Sequence, residues 1–436
     1  MRVIRWVAVA VAAACCAGSA RAAEGTLSLQ EAIAEGAARS PKAARAREAA
    51  SERSWADLEA ASAFLPKIGV SANRMFESEF QTVPVSLGAM NVVFPEVFPF
   101  GGVTLDASWT VFAGFSGVNR MRASLLGSEA ADLESSWADF QVRQDVRLKF
   151  CQALGQKRLL KLAEENVATL EEHLKMVKDL LAAGRATRFD LLRVEVQRDD
   201  ARSELLAARD RAAMARKALS VAMGETVDDR ELQGDLPEPA AGPQESGPVD
   251  EQPEVKAKRL EADAAARAAD AAADTWMPRV SVVASYQWYD NGYSNSTMDP
   301  TAAGGWGTDY NLGMAASWDV FGGGAGLAKE MQASRKADEA SATAKQALLE
   351  AGYDRELWRR RLDYATEVYR AKLVDVEKAA ESVRLAQAGQ QAGTRTTTEV
   401  LDAELDSFRA SAAVVSAQMD AAEALIRLEL ALGKGE

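Results

Sequence analysis

Sliding the sequence along itself by 209 positions superposes Gly184 on Gly393, Thr187 on Thr396, Asp190 on Glu399, Leu192 on Leu401 and Glu195 on Glu404. The same offset matches Trp109 with Trp318, Phe112 with Phe321, Gly114 with Gly323, Leu219 with Leu428 and Gly224 with Gly433, with no gap between 108–224 and 317–433. An offset of 212 aligns Pro41 with Pro253 and Pro66 with Pro278. By length alone, 436 residues could be two or three unrelated domains. A duplication of nearly the whole chain argues instead for one body built from two similar halves. The division is a first copy over 23–224, a linker over 225–252 and a second copy over 253–436, with 1–22 standing ahead of them.

Within each copy the period of the apolar residues changes in the same order. Ser28, with Glu31 three residues on, starts a short helix through a capping box, and Pro41 opens a second that Pro66 ends. Alternation with period two follows. Ile68, Val70 and Ala72 recur, then after a long loop Val103, Leu105, Ala107, Trp109 and Val111. In the second copy Val280, Val282, Ala284, Tyr286 and Trp288 alternate with polar residues, as do Tyr310, Leu312, Met314, Ala316, Trp318 and Val320. These are four strands of about nine to eleven residues with aromatics near their ends, the length and pattern of transmembrane barrel strands. A soluble half-buried sheet alternates identically.

Gly114 and Gly323 close the strand pairs and, with Pro66 and Pro278, act as hinges between strands and helices. Very long helices follow, with apolar residues at spacings of three and four: Leu126, Ala130, Leu133, Trp137 and Phe140, and later Tyr369, Leu373, Val376, Ala380 and Val383. So narrow a seam is that of a coiled coil. Each helix reaches a glycine, Gly184 or Gly393, where a hairpin turns because glycine adopts positive φ without penalty. Thr187 and Thr396 suit the N-cap of the returning helices, 188–223 and 397–432, with Asp190 and Glu399 in the first turn.

Residues 1–22 carry Arg2 and Arg5, an apolar run over 7–14 and Ala20-Arg21-Ala22, and read as a secretory signal too short to span a membrane. The stretch ending at Cys15 also resembles a lipoprotein box without its usual leucine, which makes Cys15 the lipidation alternative. Without 1–22 the chain holds 48 basic and 64 acidic residues, a net charge of −16, which argues against nucleic acid as a partner. Cys151 is then the lone thiol and reads as a small apolar helix residue, and no later segment has about 20 consecutive apolar residues. Any contact with a membrane has to come from the strands.

Four membrane strands cannot close a barrel, and an open edge in hydrocarbon leaves unpaired backbone groups. The chain therefore has to assemble, with two copies giving eight strands and three giving twelve and a water-filled lumen. The fold class is mixed α and β: an oligomeric strand barrel continued by a barrel of coiled-coil helices, with an internal two-fold repeat. The alternative is an exported coiled-coil scaffold or adhesin without a pore.

The duplicated strand-pair and hairpin unit, Leu29-Gln-Glu-Ala-Ile33 and the G-x-x-T-x-x-[DE]-x-L pattern from Gly184 and Gly393 resemble the TolC family of outer-membrane efflux proteins over about residues 26–433. The resemblance implies a homotrimer in the outer membrane of a Gram-negative bacterium, with a twelve-stranded barrel among lipid and a periplasmic helical barrel. It implies docking to a periplasmic adaptor (membrane fusion protein) and an inner-membrane pump of RND, ABC or MFS type. It places adaptor docking at Gly184, Arg185, Thr187, Gly393, Thr394 and Thr396. It makes Arg395 and Asp190 a constricting pair and Glu399 and Asp402 an acidic ring of the periplasmic gate. Gln390 departs from the pattern, standing where TolC itself has a gate tyrosine. No catalytic set and no cofactor are expected, since His173 is the only histidine and reads as a solvated helix residue, and Phe321-Gly-Gly-Gly324 lacks the Lys-Ser/Thr of a phosphate loop.

Overall fold

The computed structural model describes residues 25–76, 82–95, 101–224, 230–239, 242–243, 247–290 and 306–433, so the signal segment 1–22 and Cys15 lie outside the described residues. In chain order the elements are β1 (Thr26–Leu27), α1 (Leu29–Arg39), α2 (Pro41–Ser62), β2 (Lys67–Arg74), β3 (Thr82–Leu87), β4 (Met90–Pro95), β5 (Gly101–Phe112), α3 (Ser116–Ala182), α4 (Arg188–Met223), β6 (Glu231–Leu232), α5 (Pro253–Ala273), β7 (Arg279–Asp290), β8 (Trp306–Ser317), α6 (Ala325–Gln391) and α7 (Thr397–Leu432). Helices α3 and α6 have 67 residues each, about 100 Å at about 1.5 Å per residue, and α4 and α7 have 36 each. Ser28 caps α1 through the box expected of it, its Oγ accepting from Glu31 N–H while the Glu31 carboxylate accepts from Ser28 N–H.

The chain packs as two compact units, and neither unit is a sequence copy. Of the described residues, one takes those within 25–47, 135–253 and 349–433 and the other those within 48–134 and 254–348, so each takes segments from both halves.

The first unit is helical. Its largest core gathers Leu27 of β1, Val146 and Phe150 of α3, Leu219 and Met223 of α4, Leu232 of β6 and Ile426 of α7. Each such side chain, fully buried, contributes about 1.5–3 kcal/mol. Strands β1 and β6 pair in parallel, and Arg230 donates to both oxygens of Glu35 at 3.0 and 2.8 Å, clipping β6 to α1. The described part of the linker is therefore tied down rather than free. Leu236 is buried, Gln418 donates to the carbonyls of Leu236 and Pro237, and Arg355 donates to those of Gly247, Pro248 and Ala431. Nothing in the linker's apolar spacing signals this, because its anchors are single residues meeting partners far along the chain.

The second unit holds an antiparallel sheet in the order β2-β5-β7-β8, with α2, α5 and the first parts of α3 and α6. Strand β2 has 8 residues and the other three have 12. The loop expected between β2 and β5 contains a hairpin, β3–β4, turning at Gly88-Ala89. A bulge between Thr110 and Phe112 sets Phe112, not Val111, opposite Val280, correcting the alternation expected for the end of β5. Trp109 donates its indole N–H to the carbonyl of Phe64 at 2.9 Å, and Trp318 donates to that of Trp276 at 3.0 Å. These bonds tie strand ends to the ends of the preceding helical segments. Ser124 and Ser128 of α3 both donate to Asp57 of α2, at 2.5 and 2.7 Å.

Candidate functional site

The strand register sorts the side chains of the sheet into two faces. Rows running across all four strands read Ile68–Ala107–Ala284–Leu312 and Val70–Leu105–Tyr286–Tyr310, with Trp109–Val282–Met314 and Phe112–Val280–Ala316 beside them. On the other face the rows are Gly69–Asp106–Ser285–Asn311 and Ser71–Thr104–Gln287–Asp309. Because side chains alternate along every strand, one face is mainly apolar and the other mainly polar; the exceptions include an Arg74–Asp290 ion pair at the end of the apolar face and Val283 on the polar one. Among the described residues nothing covers the apolar face: Ile68 is 71% exposed and Leu312 75%. Both edges, β2 and β8, lack a further strand among the described residues. Twelve residues at about 3.3 Å each, tilted as barrel strands are, reach across a hydrocarbon core.

The second candidate region is the pair of hairpin tips. Gly184 and Gly393 have φ of +71° and +75°, a conformation that a β-carbon opposes, and their N–H groups donate to Leu181 and Gln390 carbonyls at 3.0 Å each. Gly114 and Gly323, at the ends of the strand pairs, also have positive φ. Thr187 and Thr396 are the N-caps of α4 and α7, each with a complete capping box closed by Asp190 and Glu399. The Thr187 hydroxyl and N–H both donate to Asp190 Oδ2, at 2.7 and 2.9 Å, and hold its carboxyl below the usual aspartate value. The N–H of Thr396, then its hydroxyl, do the same for Glu399.

Within the chain, Arg395 lies 3.7 Å from Glu399, and its aliphatic stem lies so close over Gly389 that a β-carbon there would sit 2.8 Å from Arg395 Cγ. Asp190 is engaged with Thr187, and Asp402 accepts from one Nη of Arg193, at 3.1 and 3.2 Å to its two oxygens. Thr394 N–H and Oγ both donate to the carbonyl of Gly389, and Gln390 donates to Thr397 Oγ at 3.1 Å. Arg185 N–H donates to the carbonyl of Leu180 at 2.8 Å.

Arg193 is a tip residue that the motif-based reading passes over. A signal for it existed, since Arg193 and Asp402 are themselves related by the 209-residue offset. His173 is a correction. It is 8% exposed rather than solvated, with Nε2 2.6 Å from Glu404 Oε2, because the seam of α3 turns it toward α7 and not toward water. Cys151 is buried, and burial pushes its thiol up to about 11. Among the described residues no group of three or more His, Cys, Asp or Glu could hold a metal, and no helix is long and apolar enough to cross a membrane.

Residues 42–225 and 249–434 each match the family model described as Outer membrane efflux protein. No curated protein matches the chain in sequence. Among solved structures, the Campylobacter jejuni CmeC outer membrane channel superposes with a TM-score of 0.79 at 13% identity, covering 93% of this chain and 85% of its own. The outer membrane protein VceC from Vibrio cholerae gives 0.77 at 18%, covering 93% and 96%. The open state of the Neisseria gonorrhoeae MtrE outer membrane channel gives 0.76 at 19%, covering 93% and 89%.

Proposed function

Because the chain belongs to the outer membrane efflux protein family, we propose that it is the outer-membrane exit duct of a tripartite efflux or type I secretion system. It passively conducts what an inner-membrane pump of RND, ABC or MFS type delivers through a periplasmic adaptor. The observation that carries this reading is the sheet: one apolar face, one polar face and two open edges. Edges in hydrocarbon cost several kcal/mol per unpaired backbone group, so β2 of one copy pairs with β8 of the next until the ring closes. Three copies supply twelve strands and a lumen wide enough for water, lined by the polar rows. The two family-matched spans fit a two-fold repeat in each copy.

At the other end of the long helices the tips serve as docking points and gate. Gly184, Arg185, Thr187, Gly393, Thr394 and Thr396 meet the adaptor end-on. Asp190, Glu399 and Asp402 from three copies crowd about one axis and repel one another, while Arg395 offsets that repulsion. Exposed pairs of this kind contribute only about 0–1 kcal/mol each, which suits a gate that a partner opens.

Detergent-extracted protein is expected to be a trimer by native mass measurement and to conduct ions across planar bilayers. A stable monomer or dimer, or a trimer without conductance, would return the chain to the coiled-coil scaffold reading.

A further inference from the structure

His173, the one histidine of the chain, is buried where the two hairpins meet. Its Nε2 on α3 lies 2.6 Å from Oε2 of Glu404 on α7, while Oε1 of Glu404 accepts from Gln387 of α6 at 3.1 Å. Two residues earlier on α7, Asp402 is held by Arg193 of α4. Helix α7 carries two of the acidic tip groups, and it is tied to the first hairpin twice, once to each helix of that hairpin.

Burial distinguishes the two ties. Arg193 and Asp402 are 36% and 52% exposed in their side chains, whereas His173 and Glu404 are 10% and 16%. Arginine keeps its charge at any pH a periplasm meets, so the outer tie is weak and constant. The inner tie includes the side-chain type that changes charge between about pH 5 and 8. The charges around it are otherwise engaged or acidic. From α4, Asp200 and Glu204 line the adjoining cavity of about 460 Å³, and Arg211 is bound to Glu204 at 2.7 Å. On α7, Arg409 lies 3.8 Å from Asp406; on α3, Glu171 is taken by Arg202; on α6, Arg384 is taken by Glu381. Among the described residues only His173 is within ion-pair distance of Glu404.

We infer that His173 is a gate-positioning residue, a proton-dependent latch that holds α7 against α3 behind the tip. The inference rests on the channel reading above. A charged imidazole gives Glu404 its counter-charge and favours the arrangement seen here, with α7 held against α3. A neutral one leaves a carboxylate shielded from water without an ion partner, and α7 releases more easily. Protonation also leaves His173 Nδ1–H without an acceptor, as Nδ1 is buried with no partner among the described residues, and Glu404 Oε2 forms no hydrogen bond either, so its contact with Nε2 is one of charge. That cost offsets part of the attraction between the two charges, which desolvation already reduces.

The test uses untagged full-length protein in planar bilayers at constant salt between about pH 5 and pH 8. The parent is expected to be open roughly fivefold more at the upper end, equivalent to about 1 kcal/mol. His173→Gln, which keeps a donor, and Glu404→Gln should both be flat over that interval. Arg193→Gln should conduct more at every pH with the step intact. With one histidine per chain, isotope-labelled histidine gives a single imidazole signal. That signal should move in Glu404→Gln. A His173→Gln step equal to the parent's, or an imidazole indifferent to Glu404→Gln, overturns the latch. A parent silent at every pH removes the channel reading itself, and the latch falls with it.

Discussion

At each tip one threonine both receives a hydrogen bond from the third residue of the returning helix and gives two to that residue's carboxylate. The carboxyls of Asp190 and Glu399 are lowered by these bonds, so the sign of their pH dependence is fixed. A carboxyl lowered on folding contributes its stability above its unfolded-state value, and the contribution is lost as pH falls through the folded value. Both tips should hold from neutrality down to about pH 4 and loosen below it. Limited proteolysis at 183–187 and 392–396 across that range checks this. Thr187→Ala and Thr396→Ala should each cost about 1 kcal/mol of helix stability and produce the same loosening at neutral pH. These caps were legible in the sequence because a capping box lies within four residues. The approach of His173 to Glu404 was not, since the two belong to different copies and only packing brings them together.

Among elements, the junction between strands and helices repeats the same bond in both copies. Trp109 reaches the backbone at the end of α2, and Trp318 reaches that beyond α5. Replacing either with phenylalanine keeps an aromatic ring, though a smaller one, and deletes the indole N–H, leaving a carbonyl without its donor. Each change should lower the stability of the assembled protein by about 0.5–1.5 kcal/mol, with the pair roughly additive. An unfolding midpoint unmoved by both substitutions would show these indoles to be surface groups only. The ends of the long helices were readable because glycine, threonine and proline mark them chemically. The β3–β4 hairpin was not, because Pro84 lacks a ladder N–H and the run Val92-Val93-Phe94 has no period of two; nor was the bulge at Thr110–Phe112, which is a property of two paired strands and not of one.

For the molecule as a whole, the proposed docking of a partner at the two tips can be tested at their glycines. Gly184→Val with Gly393→Val forces β-branched residues into positive φ, a strain of about 1–3 kcal/mol per site. Export should fail in the double variant while assembled protein still fractionates with the outer membrane; normal efflux would separate the tips from docking. The compact units that mix both copies also set an order of events during synthesis. Strand β5 is made early, but its neighbour β7 follows only after α3, α4 and α5 have been translated. Until then the first strand pair carries an exposed, apolar, hydrogen-bond-hungry margin, the kind of surface on which chains aggregate. Pairing so distant in sequence is slow to find. A chain built this way spends its early life dependent on whatever in its compartment shields nascent strands, and its yield should be limited by that protection before it is limited by the stability of the finished protein.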